Sequence, residues 1–270
     1  MQLTHPIFKI LSGIAAEKGL EIYVIGGYVR DLILRRPSKD IDIVVLGSGI
    51  ELAETAAKQL GDLTVSVFKN FGTAMFRYKG VEIEFVGARK ESYHLDSRKP
   101  IVEEGTIDDD QKRRDFTINA MAYNPKTGLV DAFDGTSDLK RRIIRCVGDP
   151  DKRFDEDALR MLRAVRFSGQ LQFTIEEKTR QAIVERAEHL QNISAERIRV
   201  EMTKLLISKD SGQLREVVDT GMTAYFLPEL DRMMTFEQKN PHHIYTVGEH
   251  SIVSCLLYTS PSPRDVEESR

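Results

Sequence analysis

The hydrophobic period of the chain changes once, near residue 150, and that change restricts its fold more than any other feature. Before it, short β-branched runs alternate with helix-like stretches. Glu21–Ile25 is an apolar run ending at Gly26-Gly27, and Tyr28–Arg35 then reads as one or two helical turns. Ile41–Leu46 reads as a buried strand bounded by Gly47, and Gly49–Leu60 sets alanines and leucines at helical spacing. Thr64–Phe68, Ala74–Tyr78 and Val81–Val86 are strand candidates, with a hairpin turn at Lys79-Gly80. Arg89–Gly105 is polar and without period, and is expected to be a long loop of the kind that tends to be functional or disordered. Beyond the change, Asp157–Gly169, Glu176–Asn192 and Ala195–Ile207 carry helical periodicity, with Ser194 placed to cap the last. An α/β part followed by an all-α part is therefore expected, with its boundary at the turn residues Gly148-Asp149-Pro150.

Composition matters here mainly for what it excludes. With 41% apolar and 30% charged residues the chain reads as a globular protein, and no run approaches the length of a membrane span. The first ten residues lack the basic start and apolar stretch of a signal peptide, and Cys146 and Cys255 have no metal-site spacing, so a reduced, cytoplasmic setting is expected. A net charge of −3 does not mark a nucleic-acid binder, but the local field matters more than the total. Basic residues cluster at Lys140, Arg141, Arg142 and Arg145, then at Arg153, Arg160, Arg163 and Arg166. At the far end, Ser260-Pro261-Ser262-Pro263-Arg264 breaks a helix expected to begin near Val247, the pattern of a chain that stops before a domain is finished.

Asp40-Ile41-Asp42 opens the strand of the first half. Alternate residues of a strand face the same way, so both carboxylates can share one ion. Magnesium, a hard cation that also binds phosphates, suits such a pair. With two ions, one can activate an attacking hydroxyl while the other steadies a leaving pyrophosphate. Alone, an Asp-x-Asp pair is more commonly two solvated charges at a strand start. Gly26-Gly27-Tyr28-Val29-Arg30-Asp31 adds to it, because a Gly-Gly turn before a helix lets backbone N–H groups approach a phosphate, and Arg30 can reach the same group. Glu84, on the face of Val81–Val86 that Glu82 shares, completes a carboxylate triad if that strand neighbours Ile41–Leu46, and is otherwise part of an exposed face.

Asp157, Arg160, Arg163 and Arg166 recur every third residue and form a slowly drifting polar stripe on the expected helix. An ion-paired solvated face is the simpler reading. The functional one is that an Asp acceptor beside an Arg donor matches the amino group and ring nitrogen of cytosine and adenine. Guanine and uracil present the opposite pattern and would leave buried groups unpaired.

Arg113-Arg114-Asp115-Phe116-Thr117-Ile118-Asn119-Ala120, Asp134–Leu139, Glu156–Arg160 and Ile193–Ile198 follow these motifs. Together, in order and spacing, they resemble the bacterial-type tRNA nucleotidyltransferases and their poly(A) polymerase relatives, over about residues 20 to 230. The resemblance implies an α/β, polymerase-β-like nucleotidyltransferase head with a mixed sheet (1–148), an all-α neck (149–208) and a partial helical body (209–270). It implies Mg2+ on Asp40 and Asp42, and nucleotide contacts from Gly26, Gly27, Arg30 and Arg114, with Asp115 and Asn119 shaping that site. Asp157 and Arg160 become the base-selecting pair, with Arg163 and Arg166 also lining the nucleotide. The implied reaction adds C and A from CTP and ATP to the 3′ end of tRNA, releasing pyrophosphate. Poly(A)-, A- and CC-adding relatives share every motif quoted, although the full Arg89–Gly105 segment, where the family has a flexible loop, counts against a CC-only enzyme. An RNA-binding module that has lost turnover through truncation is a rival from another class. A metal phosphohydrolase is a further one, disfavoured because no His-Asp pair follows His242–His250. Asp134 stands where a second glycine is common in the family, a departure at a hinge between head and neck.

Overall fold

The computed structural model describes the backbone of residues 3–38, 40–94, 97–237 and 244–259, and the side chains of these except residues 70, 90–94, 97–104 and 256–259. The chain divides into two compact units, Met1–Arg141 and Arg142–Arg270.

The first unit runs α1 (Ile7–Lys18), β1 (Glu21–Ile25), α2 (Gly27–Ile33), β2 (Asp40–Leu46), α3 (Gly49–Gln59), β3 (Ser66–Phe68), β4 (Thr73–Tyr78) and β5 (Val81–Gly87). It continues through β6 (Arg89–His94), β7 (Ser97–Glu104), α4 (Ile107–Lys112), β8 (Ala122–Asn124), β9 (Gly128–Val130) and α5 (Gly135–Arg141). One seven-stranded sheet has the order β3-β4-β5-β2-β1-β8-β9. It is mixed, because β2 lies parallel to β5 while its other neighbour, β1, is antiparallel. Lys79 and Gly80 both have positive φ, 49° and 81°, as the expected two-residue hairpin turn between β4 and β5 requires.

Alternation along β2 separates two environments. Ile41, Ile43 and Val45 are at most 1% exposed and face the helical layer, where α1 and α3 pack together. The other face begins with Asp40 and Asp42 and turns apolar at Val44, which joins Tyr23, Ile25, Ala88 and Ala122 in a buried cluster. One sheet face is thus acidic at one end and greasy at the other. α1 was not anticipated by the strand-centred reading, although Ile7, Leu11 and Ile14 form a buried helical stripe.

The segment expected to be a structureless loop is instead an antiparallel pair, β6 with β7, with a register irregularity between Ser92 and His94. Strand pairing is made by backbone groups, so a charged sequence without alternation gave no sign of it. Asp134 adopts φ 59°, the left-handed conformation in which glycine is easiest. An aspartate is accommodated there, and its carboxylate accepts a hydrogen bond from Ser137 at 2.7 Å. α5 is anchored by Asp131, which accepts from the N–H groups of Gly135 and Thr136 at 2.7 and 2.9 Å.

The second unit contains β10 (Ile143–Ile144), α6 (Pro150–Glu156), α7 (Leu159–Leu171), β11 (Thr174–Ile175), α8 (Glu177–Arg186), α9 (Ala195–Leu206), α10 (Leu214–Asp219), α11 (Pro228–Thr235) and α12 (Val247–Thr259). The helical expectation needs one amendment, a short parallel pair of β10 with β11. That pairing ties residues 143–144 to the helical unit, which is why the chain divides before the turn at Gly148. The helix expected over Asp157–Gly169 starts later. α6 ends at Glu156, Asp157 is extended at φ −151°, and α7 begins at Leu159. Ser194 stands at the N-cap of α9 but makes no side-chain cap bond. His250 is exposed on α12, whereas His242, His243 and Ser260–Arg264 lie outside the described residues.

Gly135 shows how closely α5 is seated, since a Cβ there would lie 2.3 Å from the Thr117 carbonyl oxygen. Gly135→Ala is expected to destabilise the first unit by about 1–3 kcal/mol through overpacking. Urea unfolding followed by circular dichroism checks this, and an unchanged midpoint would contradict the close seating.

Candidate active site

The site is built around the turn that leaves β1. Gly26 has φ 75° and ψ −135°, a conformation closed to side chains. Space forbids one as well: a Cβ there would lie 2.9 Å from Arg114 Nη1 and 3.2 Å from Asp42 Oδ2. The missing side chain lets a carboxylate and a guanidinium converge on the start of α2, whose first-turn N–H groups have no partner within the helix.

Asp40 and Asp42 share a sheet face, and the parallel register sets Asp40 beside Glu82 and Asp42 beside Glu84 on β5. The neighbouring-strand condition for Glu84 is therefore met. A cleft of about 460 Å³ is lined by Gly27, Arg30, Asp40, Asp42, Glu82 and Glu84, among others. Burial pushes the Asp42 carboxyl above its ordinary pKa, repulsion from Asp40 and Asp110 adds to this, and Arg114 opposes it. Glu84 is likewise raised, first by burial and then by Asp42 and Glu82. Crowded carboxylates that resist their own ionisation form a hard-oxygen donor set short of positive charge, and a divalent cation fits it. Among the described residues no group of three or more His, Cys, Asp or Glu side chains is arranged as a metal cage. That is compatible with a metal held by one or two carboxylates plus substrate phosphates.

Arg30, which lines the cleft, and Arg114, at the Gly26 turn, are both held in place. Arg30 donates to both carboxylate oxygens of Asp31, at 2.9 and 3.0 Å, and to Asn119 Oδ1 at 2.8 Å. Asn119 in turn donates to Asp115 Oδ1 at 3.3 Å, which fixes its amide with the oxygen towards Arg30. Arg114 Nε donates to Asp110 Oδ2 at 3.0 Å, and Arg113 pairs with the other oxygen of that carboxylate. Asp110 is fully buried and was absent from the sequence-derived site. Its signal was present, because on α4 it lies three and four residues before the two arginines.

In the second unit the polar stripe is broken up. Asp157 precedes α7, accepting from Leu159 N–H at 3.2 Å and from Arg197 Nη2 at 2.9 Å. Arg160 donates to Glu156 at 2.7 Å and to the Arg153 carbonyl at 3.0 Å. Arg163 remains about one-third exposed. Arg166 lies on the inward side of α7. It is 7% exposed, its Nε lies 2.5 Å from Glu201, and its guanidinium stacks 3.9 Å from the Phe167 ring centroid. The drift of a three-residue repeat on a 3.6-residue helix carries the last arginine inward.

The family described as the poly A polymerase head domain matches residues 22–145, and that described as a probable RNA and SrmB-binding site of polymerase A matches residues 172–234. The CCA-adding enzyme of Lactobacillus delbrueckii subsp. bulgaricus is 47% identical over 210 residues, covering 77% of this chain and 52% of that enzyme. The chain belongs to the tRNA nucleotidyltransferase and poly(A) polymerase family. Solved structures of this family agree with the fold. The Bacillus stearothermophilus CCA-adding enzyme in complex with CTP superposes with a TM-score of 0.73 at 35% identity, over 86% of this chain and 57% of that one. A tRNA nucleotidyltransferase complexed with a primer tRNA and an incoming ATP analog gives 0.68 at 32% identity, over 86% and 64%. The expected polymerase-β-like head with a mixed sheet is thus the fold observed. The chain spans about half the length of the curated relatives it matches.

Burial alone would raise the Asp110 carboxyl, but the charges and hydrogen bonds of Arg114 and Arg113 outweigh it and hold the pKa below the ordinary value. A carboxylate lowered in this way contributes stability above its unfolded pKa and loses it as pH falls through the folded one. Asp110→Asn is therefore expected to cost about 3 kcal/mol at neutral pH by stranding two guanidinium groups. The gap from wild type should close below the ordinary aspartate range. Urea midpoints measured from pH 7 to pH 3 check this; a gap that stays constant in acid would contradict the ion-pair account.

Proposed function

We propose that this chain adds C and A residues from CTP and ATP to the 3′ end of tRNA and releases pyrophosphate. The observation that carries the reading is the convergence of Asp42 and Arg114 on the Gly26 turn, beside a cleft lined by Asp40 and Arg30. Asp40 and Asp42 hold Mg2+, which when bound lowers the pKa of the attacking hydroxyl and neutralises phosphate charge. The backbone of Gly26 and Gly27 with Arg30 and Arg114 binds the triphosphate. Since Asp31, Asn119 and Asp110 already fix both guanidinium groups, little reorganisation is needed when phosphate arrives. The acceptor's 3′-oxygen then bonds to the α-phosphorus as the bond to the pyrophosphate oxygen breaks, roughly in line.

In the second unit, Asp157 and Arg160 present the acceptor and donor that suit cytosine and adenine. Each carboxylate oxygen can accept a second bond, so the existing contacts of Asp157 leave that role open. Arg163 extends the contact, and Arg166 braces α7 against α9 from within. Among the described residues no helix is long and apolar enough to cross a membrane. A tRNA substrate puts the work in the cytoplasm.

The test is incubation with Mg2+, a tRNA lacking its 3′ end, and each nucleotide singly and mixed. C followed by A in the product supports CCA addition. A alone, C alone or an extended A tail assigns the chain to another branch, and RNA binding without extension removes catalysis. Asp42→Ala is expected to abolish incorporation while RNA affinity, read by filter binding, stays within about twofold, since no phosphate contact of the RNA is removed. Asp157→Ala is expected to raise GTP and UTP misincorporation by roughly 10- to 100-fold, the scale of one lost polar discrimination; unchanged selectivity would move base reading elsewhere.

A further inference from the structure

A second cavity in the first unit, of about 410 Å³, has a wall of opposite character to the carboxylate cleft. Apolar groups from four parts of the chain line it, among them Pro6 ahead of α1, Leu32 on α2, Ile41 on β2 and Val81 on β5. Tyr28 adds an aromatic ring and Arg36 a guanidinium, and among the described residues no carboxylate lines it. A second positive charge acts from nearby. Burial lowers the pKa of His5, which lines the cavity, and the Lys79 ammonium lowers it further. The imidazole is therefore neutral at pH 7, and the charge felt inside comes from Arg36 and Lys79. The volume lies within the range of sites for small organic ligands, whose usual make-up is an apolar wall with few polar groups.

We infer that this second cavity is a binding site for a small organic anion, a flat body of one or two rings bearing a single carboxylate. The body lies against the Tyr28 ring and the proline and aliphatic walls, and the carboxylate meets Arg36, whose planar fork of donors matches it. Charge sets the class of ligand. A cation is repelled by Arg36 and Lys79 and finds no carboxylate in the lining, whereas the other cleft offers it Asp40, Asp42, Glu82 and Glu84. A triphosphate is excluded in turn, because one lining guanidinium in a mainly apolar wall leaves most of its charge unpaired. The site does not depend on the nucleotidyl transfer proposed above.

The experiment titrates the full chain with benzoate and follows the His5 and Tyr28 rings by NMR. His5 lines only this cavity, whereas Tyr28 also lines the carboxylate cleft, so His5 gives the deciding signal. Benzoate is expected to shift both rings saturably, with a Kd of roughly 1–10 mM for a ligand of so few atoms. Benzamidine, of similar shape and opposite charge, is expected to act on His5 at least about 10-fold more weakly, the scale of one charge-assisted hydrogen bond. Arg36→Ala is expected to weaken benzoate about 10-fold, and Arg36→Lys to restore part of that loss. Thr4 is an exposed residue of the lining, so Thr4→Trp fills the cavity from its rim and removes the saturable shift. ATP with Mg2+ is expected to leave the His5 shift in place. No saturable His5 shift in wild type, equal affinity for benzamidine, or displacement by ATP overturns the site, as does unchanged benzoate affinity in both Arg36→Ala and Thr4→Trp. The wild-type titrations decide by themselves if a variant fails to fold. None of these readings requires turnover, so loss of the transfer reading leaves them standing.

Discussion

The close approach of Asp42 and Arg114 to the backbone of Gly26 is the contact on which the rest of the site depends. It joins three separate pieces of chain: the end of β1, the start of β2, and the segment after α4. Antiparallel pairing of β1 with β2 sets Ile25 opposite Asp42, so the turn that follows Ile25 must pass the carboxylate. A side chain at Gly26 would fill the space in which the guanidinium and the carboxylate meet. The turn is therefore a consequence of what must lie against it.

Charge in the first unit is arranged as a series of buried debts. Asp42 is raised above its ordinary pKa by burial and by Asp40 and Asp110, and Glu84 by burial and by Asp42 and Glu82, while Asp110 is lowered because two arginines share it. The acidic end of the sheet face is thus left short of positive charge, and the arginines beside it are already oriented by other carboxylates. A cation and a polyanion arriving together would satisfy both sets at once, which is the electrostatic logic of a nucleotide bound with a metal.

The second unit uses similar residues for a different purpose. Arg166 and Glu201, both buried, join α7 to α9, and Gly169 lets α7 lie close to the segment that follows α9, since a Cβ there would lie 2.7 Å from the Asp210 carbonyl oxygen. Arg197 holds Asp157 at the start of α7. A row that looks like a single functional stripe in sequence divides into a framework arginine and residues with accessible polar groups.

Local sequence determined the elements whose signals are local. The β-branched run of β2, the Lys79-Gly80 turn, the Gly26-Gly27 bend and the carboxylate pair were all legible, because alternation and φ preference act over a few residues. Long-range pairing decided the rest. The strands β6 and β7 carry no apolar alternation and exist through backbone bonds to each other. The partnership of Asp42 with Glu84 depends on β2 and β5 lying in parallel register. Asp110 could be seen as a helical neighbour of Arg113 and Arg114, but its complete burial could not. The inward position of Arg166 was not legible, because side-chain spacing sets an angle around an axis and only the packing of α9 fixes which angle is inside.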